Sequence, residues 1–379
     1  MRDVAKYLTA KQSGSDPELA AQWAKLEGFY NKKLWHQLTI EMLQFIKHPS
    51  LQTGNELFLL YENFITDFEN KINLLSLTEM CAVIAKQIGS TDERLAFLNQ
   101  LLEKIKNNKE ALALCKVLIG NIKLHEKGEQ PETKNIIEEI EKILSETEGV
   151  TPVHGRFYLL CSDFHRIQGK HADFYRASLR YLGCTEMTTL SPAEQKSQAF
   201  ALGIAALLGE GIYNLGELLA HPVLESLKNQ DEKWLVDLLF IMNAGDIAGF
   251  HQLKPKWSTQ PDLVAKERFI LQKITLLALM EMTFKRPATN RNLSFKDVAT
   301  TTGVREDEVE LLVMKALAQG LLKGTIDQVD SVVHFTWVQP RVLDKKQLST
   351  MMDRLACWCK DIESMETLVE TKAHDILTL

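Results

Sequence analysis

The chain reads as a mainly α protein: a right-handed helical-repeat (TPR-like) solenoid, then a winged-helix domain, then a long C-terminal helix. Three observations predict this. Helical apolar patterns come in pairs at roughly 35 to 45 residues, the spacing of helical solenoids. Past Gly320 the period changes from helix to strand, and residues 344–373 read as a long helix with an apolar seam from Leu348 to Val369. On this reading residues 1–170 are the solenoid, and residues 171–341 are a second domain. Within that domain 171–287 are helical and 288–341 are the winged helix, while 342–379 form a C-terminal bundle helix.

In chain order, residues 18–30 place Trp23, Leu26 and Tyr30 on one side of a helix. Residues 34–46 follow with Leu34, Leu38, Met42 and Ile46 every fourth position. His48-Pro49-Ser50 ends that pair, because proline lacks the N–H a continuing helix needs. The pattern recurs in residues 56–68 with 77–88, 92–105 with 111–124, and 131–144 with 153–167. Pro131 suits the first turn of its helix, where the missing N–H had no partner to lose. Residues 157–182 form a helix–turn–helix around Gly169-Lys-His, and its aromatics Phe157, Tyr158, Phe164, Phe174, Tyr175 and Tyr181 are read as core. Further helices occupy 191–253, opened by Ser191-Pro-Ala-Glu, a good helix start. Residues 271–284 are a strongly apolar helix, joined by Arg286-Pro287-Ala-Thr-Asn to the winged helix.

The winged helix opens with Ser294 as an N-cap and Asp297 as a weak capping-box partner, giving a helix of about two turns. Thr302-Gly303-Val304 makes a turn, and residues 305–318 resume the helical pattern with Val309, Leu312, Val313 and Ala316. Residues 321–326 and 332–338 are rich in β-branched and aromatic side chains and read as a two-stranded wing around Gln328-Val-Asp-Ser331. In many winged helices the second helix enters the DNA major groove, where phosphates favour Lys and Arg. Here that helix begins Arg305-Glu-Asp-Glu-Val-Glu310, and the wing adds Asp327 and Asp330 against Lys323. Like charge opposes phosphate, so protein contact is the expected role.

Beyond the wing, Leu348, Met352, Leu355, Cys359 and Ile362 alternate steps of four and three, then shift to Met365 and Val369. At 1.5 Å per residue such a helix reaches about 40 Å, more than one neighbouring winged helix can cover. Leu348, Met352, Leu355, Ile362 and Met365 are therefore the expected partner-binding residues. On the second wing strand Val333, Phe335 and Trp337 alternate toward one face and are expected in the core. His334 and Thr336 on the other face, with the strand's backbone edge, are the expected contacts there.

The whole chain has 379 residues and a net charge of −6, which gives no general attraction to nucleic acid or anionic lipid. Residues 1–24 lack a signal-peptide core, and the apolar run 199–209 is too short to span a bilayer. Six scattered cysteines suit buried thiols in a reducing compartment better than a disulfide framework. No phosphate-binding loop, nucleophile elbow or His/carboxylate cluster stands out, so neither catalysis nor a cofactor is expected. Cys357-Trp358-Cys359 on a helix points its two thiols about 200° apart, which prevents them from sharing a zinc. His154, His165 and His171 straddle a helix pair without an acid at useful spacing and read as partly buried structural residues.

Several stretches carry a closer resemblance. They are Lys32-Lys-Leu-Trp-His-Gln-Leu-Thr39, Leu60-Tyr-Glu-Asn-Phe-Ile65, residues 207–227, Met280-Glu-Met-Thr-Phe-Lys-Arg-Pro287, residues 308–317, residues 334–343 and Ala373-His-Asp-Ile-Leu377. With the order solenoid, winged helix, terminal helix, they resemble the PCI-domain family, named for the proteasome lid, the COP9 signalosome and translation initiation factor 3. The resemblance implies a non-catalytic scaffold subunit of the proteasome lid in cytoplasm and nucleus. Winged helices of adjacent subunits would lie side by side in a horseshoe, and C-terminal helices would gather in one bundle. The implied partners are other lid PCI subunits, the metalloprotease-fold lid subunits and the ubiquitin-receptor subunit, in a hetero-oligomer without nucleic acid or membrane. The alternatives are a scaffold of the signalosome or of initiation factor 3, and, against the charge, a nucleic-acid-binding winged helix.

Overall fold

The structure, a computed structural model, describes residues 4–13, 17–52, 54–227, 231–287, 290–343 and 345–372. Two units emerge, Met1–Thr189 and Leu190–Leu379.

The first unit is a succession of helices, and one of them shows how they stack. In the helix Lys109–Ile122, Ala111, Cys115 and Ile119 recur every fourth residue and enter a core shared with the helices before it. Ala113, Leu114 and Val117 on its other side enter a second core with Leu124, Ile140, Val153, Phe157 and Leu160. A helix with two buried faces is a layer between repeats, which is what a solenoid requires. Gly120 lets the next layer close in, since a Cβ there would stand 2.8 Å from Leu160 Cδ2.

Two features of this unit differ from the sequence expectation. A first helix, Val4–Ser13, buries Val4 and Leu8, and its Tyr7 meets Trp23 edge-on at 6.1 Å. With so few apolar positions, its pattern does not rise above the polar residues around it. The stretch expected as one helix over 56–68 contains a wide π turn, Tyr61–Ile65, which tucks Tyr61, Phe64 and Ile65 inward together. Of the aromatics expected in the core around residue 169, Phe157, Phe164, Phe174, Tyr175 and Tyr181 are buried, while Tyr158 is half-buried with Arg180 over its ring.

In the second unit the helix Glu267–Lys285 is buried almost all round, with Ile270, Ile274, Leu276, Leu277, Leu279 and Met280 inside. It is the central post of the unit. Gly245 caps the neighbouring helix Lys233–Ala244 in the left-handed conformation, φ 68°. It also passes so near the post that a Cβ would lie 2.5 Å from Ala278 Cα. Lys273, on the post and 2% exposed, donates to the carbonyls of Ala206, Leu207 and Gly209 at 2.6, 3.3 and 2.9 Å. It thereby caps the C-terminal end of the helix Pro192–Leu208, where the dipole favours a cation. Burial works the other way and pushes its ammonium down to about 7.

The winged helix follows in the same unit. Ser294 caps the helix Phe295–Thr302 by accepting from Asp297 N–H at 3.1 Å. Asp297 pairs with Arg286 at 3.2 Å. Gly303, φ 65°, turns the chain, and a short 3-10 turn Glu306–Glu308 leads into the helix Val309–Ala318. The sheet has three strands where the sequence suggested two. β1 (Asn292–Ser294), β2 (Leu322–Asp327) and β3 (Val332–Val338) are antiparallel in the order β1-β3-β2. β1 has three residues and runs directly into the helix cap, too short for alternation to reveal it. Between β2 and β3, Asp327 Oδ1 accepts from the N–H groups of Val329 and Asp330, both at 3.1 Å, which closes the turn.

The last element is one helix, Lys345–Lys372. The start expected at Asp344, the end at Ala373 and the stretch Ala373-His-Asp-Ile-Leu377 lie outside the described residues. Among those described, no helix is long and apolar enough to cross a membrane.

Candidate assembly interface

The outward surface of the wing is set by one irregularity. At Lys323/Gly324 the pairing register jumps from Trp337 to Phe335, so β3 carries a bulge at Thr336. The extra residue inverts the alternation beyond it. Val333, Phe335 and Val338 are buried, whereas Trp337, expected in the core, is half-exposed with the Lys323 ammonium 5.0 Å from its ring centroid. Gly324 makes the bulge possible, because a Cβ there would lie 2.2 Å from the His334 carbonyl oxygen.

His334 and Thr336 are exposed, as expected. His334 Nδ1 lies 2.9 Å from Asn292 Oδ1, and Thr336 Oγ1 donates to the Lys323 carbonyl at 3.2 Å. The backbone of β3 is a different matter. His334 pairs with Asn292 on one side and Thr325 on the other, so β3 is central there and its edge is taken. The third strand is the reason, and the open edges belong to β1 and β2.

On the helix Val309–Ala318, Val309, Leu312, Val313 and Ala316 face inward. Leu311 and Met314, 66% and 51% exposed, face out, beside exposed Glu306, Asp307 and Glu308. Arg305 bonds Glu308 at 2.5 Å and holds its carboxyl below the usual range. Placed against a duplex, this surface would offer phosphate mainly carboxylates.

The terminal helix carries the largest apolar surface. Every residue from 348 to 372 is exposed, and nine of the twenty large exposed hydrophobics of the described chain lie on it. They include the expected Leu348, Met352, Leu355, Ile362 and Met365. The sequence reading missed Met351, Trp358 and Leu368, 52%, 62% and 50% exposed, which sit one position before Met352, Cys359 and Val369. A helical wheel, in place of a search for steps of three and four, would have found them. With them the stripe is about 200° wide at 100° per residue, broader than a two-helix seam.

Among the described residues His154, His165 and three of the six cysteines sit in structural settings. His154 is buried, and its Nδ1 accepts the Thr151 N–H at 3.0 Å as a helix cap. Burial holds His165 below its ordinary pKa. Among the described residues no group of His, Cys, Asp or Glu could hold a metal ion. Cys81, Cys115 and Cys161 are buried, and burial pushes Cys115 and Cys161 up to about 12, which makes them unreactive. The expectation of buried thiols fails for Cys184, Cys357 and Cys359, which are exposed because their helix faces are uncovered.

Comparison with known proteins bears on the same elements. Residues 22–239 match the family described as PSD13 N-terminal repeats, and residues 250–337 match the PCI domain. The chain is 36% identical to 26S proteasome non-ATPase regulatory subunit 13 homolog B of Arabidopsis thaliana, with 98% of each chain covered. It is 37% identical to 26S proteasome non-ATPase regulatory subunit 13 of Dictyostelium discoideum, with 95% of each covered. A translation initiation factor 3 subunit M from Emericella nidulans is 25% identical over 49% of this chain and 43% of its own length. The likeness to the first two runs through solenoid, wing and terminal helix alike, and the chain belongs to the family of 26S proteasome non-ATPase regulatory subunit 13, a PCI-domain family.

Proposed function

We propose that the chain is a non-catalytic structural subunit of the lid of the 26S proteasome regulatory particle and supports ubiquitin-dependent protein degradation by holding that assembly together. The observation that carries this reading is the terminal helix, exposed from residue 348 to residue 372 with its apolar stripe in water. A stable protein contact buries at least about 1,200 Å². A helix about 42 Å long can supply much of that, whereas a wing edge alone falls short. Leu348, Met352, Leu355, Ile362 and Met365, with Met351 and Trp358, are the proposed bundle contacts. His334, Thr336 and Trp337, with the open edge of β2, are the proposed contacts to a neighbouring winged helix.

The partners in this reading are other PCI subunits of the lid, the metalloprotease-fold subunits and the ubiquitin-receptor subunit, in cytoplasm and nucleus. Likeness over nearly the full chain to subunit 13 relatives supports this assignment over a place in the signalosome or in initiation factor 3. The carboxylates on the helix Val309–Ala318 and the turn before it count against nucleic acid. The test is a pull-down from cell extract with tagged full-length chain and with a chain ending at Leu343. Full-length protein should recover regulatory-particle subunits and the shortened chain should lose most of them. Recovery of another complex, or of chromatin, would refute the assignment.

A further inference from the structure

The terminal helix is exposed along 348–372, so whatever sets its point of departure must lie in the segment just before it. That segment is held on two sides. The Arg341 side chain is 4% exposed and ion-paired with Glu281 on the post helix. Its guanidinium also donates to the Asn243 carbonyl at 3.4 Å and lies 5.4 Å from the centroid of the Phe284 ring. One residue on, the Val342 N–H donates to Asn214 Oδ1 at 3.4 Å. The Val342 backbone also crosses Gly216 so closely that a Cβ there would stand 2.7 Å from Val342 Cβ and 3.0 Å from Val342 O.

A buried ion pair is a poor source of net stability, since both charges lose their water; what it can supply is a single geometry. We propose that Arg341, Glu281, Gly216 and Val342 form a clamp that fixes where the terminal helix leaves the protein, making Arg341 and Gly216 positioning residues for assembly. This inference rests on the reading that the terminal helix docks. With the clamp in place the stripe and the wing reach their partners as one preset surface. Without it, residues 341–343 must be ordered anew at each binding event, and that ordering is subtracted from affinity.

Two variants test the clamp from opposite sides. The double substitution Arg341→Met with Glu281→Gln keeps volume and leaves no lone buried charge, and Gly216→Ala pushes Val342 away with the ion pair intact. Spin labels are placed on Cys357 and on Thr325→Cys, with Cys184 and Cys359 changed to serine. The parent should show a narrow distance distribution and both variants a broad or displaced one, with circular dichroism unchanged. Incorporation of the unlabelled variants into the regulatory particle should fall about tenfold. A broad distribution in the parent, an unchanged one in both variants, or a broadened one with normal incorporation would overturn the clamp. Normal assembly of the chain ending at Leu343 would sink the docking reading instead, and the label distances would still judge the clamp.

Discussion

Lys273 sets two effects against each other at a single atom. Three carbonyls at a helix C-terminus favour the ammonium, while burial disfavours it and brings its pKa from the ordinary 10.5 to about 7. Because the folded value is the lower one, the unfolded chain takes up this proton first as pH falls. Lys273 therefore opposes folding increasingly from about pH 10 down to 7 and no further below that. Thermal unfolding of the parent and of Lys273→Met between pH 7 and 9.5 should show the parent gaining on the variant as pH rises. A pH-independent difference would mean the ammonium stays charged throughout. Gly324 gives a second prediction at this scale. Gly324→Ala drives a methyl into the His334 carbonyl and should cost about 1–3 kcal/mol, read as a lower melting temperature. Neither site was legible in the sequence. A lysine among apolar residues looks like a helix's wet side, and the bulge that turns Trp337 outward depends on a close backbone approach that alternation does not encode.

The elements were legible in proportion to their length. Helices with three or more turns of apolar spacing, such as Lys109–Ile122, declare themselves because one face must be buried. Val4–Ser13 and β1 were missed, and with β1 went the true edges of the sheet. Six of the nine large hydrophobics of the terminal stripe were visible as a seam, and Met351, Trp358 and Leu368 needed the wheel. Since the stripe is exposed in the free chain, Leu355→Asp with Ile362→Asp should leave the melting temperature nearly unchanged. The same pair should weaken incorporation into the regulatory particle by about 2 kcal/mol or more, measured by competition with the parent chain. A large drop in melting temperature would instead mean that the helix packs on its own protein.

At the scale of the whole molecule, solenoid, winged helix and terminal helix follow in the order that the periodicities announce. Helix length alone announces that the terminal seam outruns its neighbour; that every residue from 348 to 372 stays exposed is a property of the finished fold. An apolar stripe this long in water should drive self-association. Sedimentation of the purified chain should show concentration-dependent oligomers that disappear in the chain ending at Leu343. Equal behaviour of the two would place the sticky surface elsewhere. The stripe also has a consequence for the life of the chain in a cell. A newly made copy without partners displays the kind of surface that chaperones and quality-control proteases recognise. If the stripe docks as proposed, the half-life of the chain would be tied to the supply of its partners: a surplus would be cleared, a docked copy hidden, and subunit ratios corrected without a dedicated sensor.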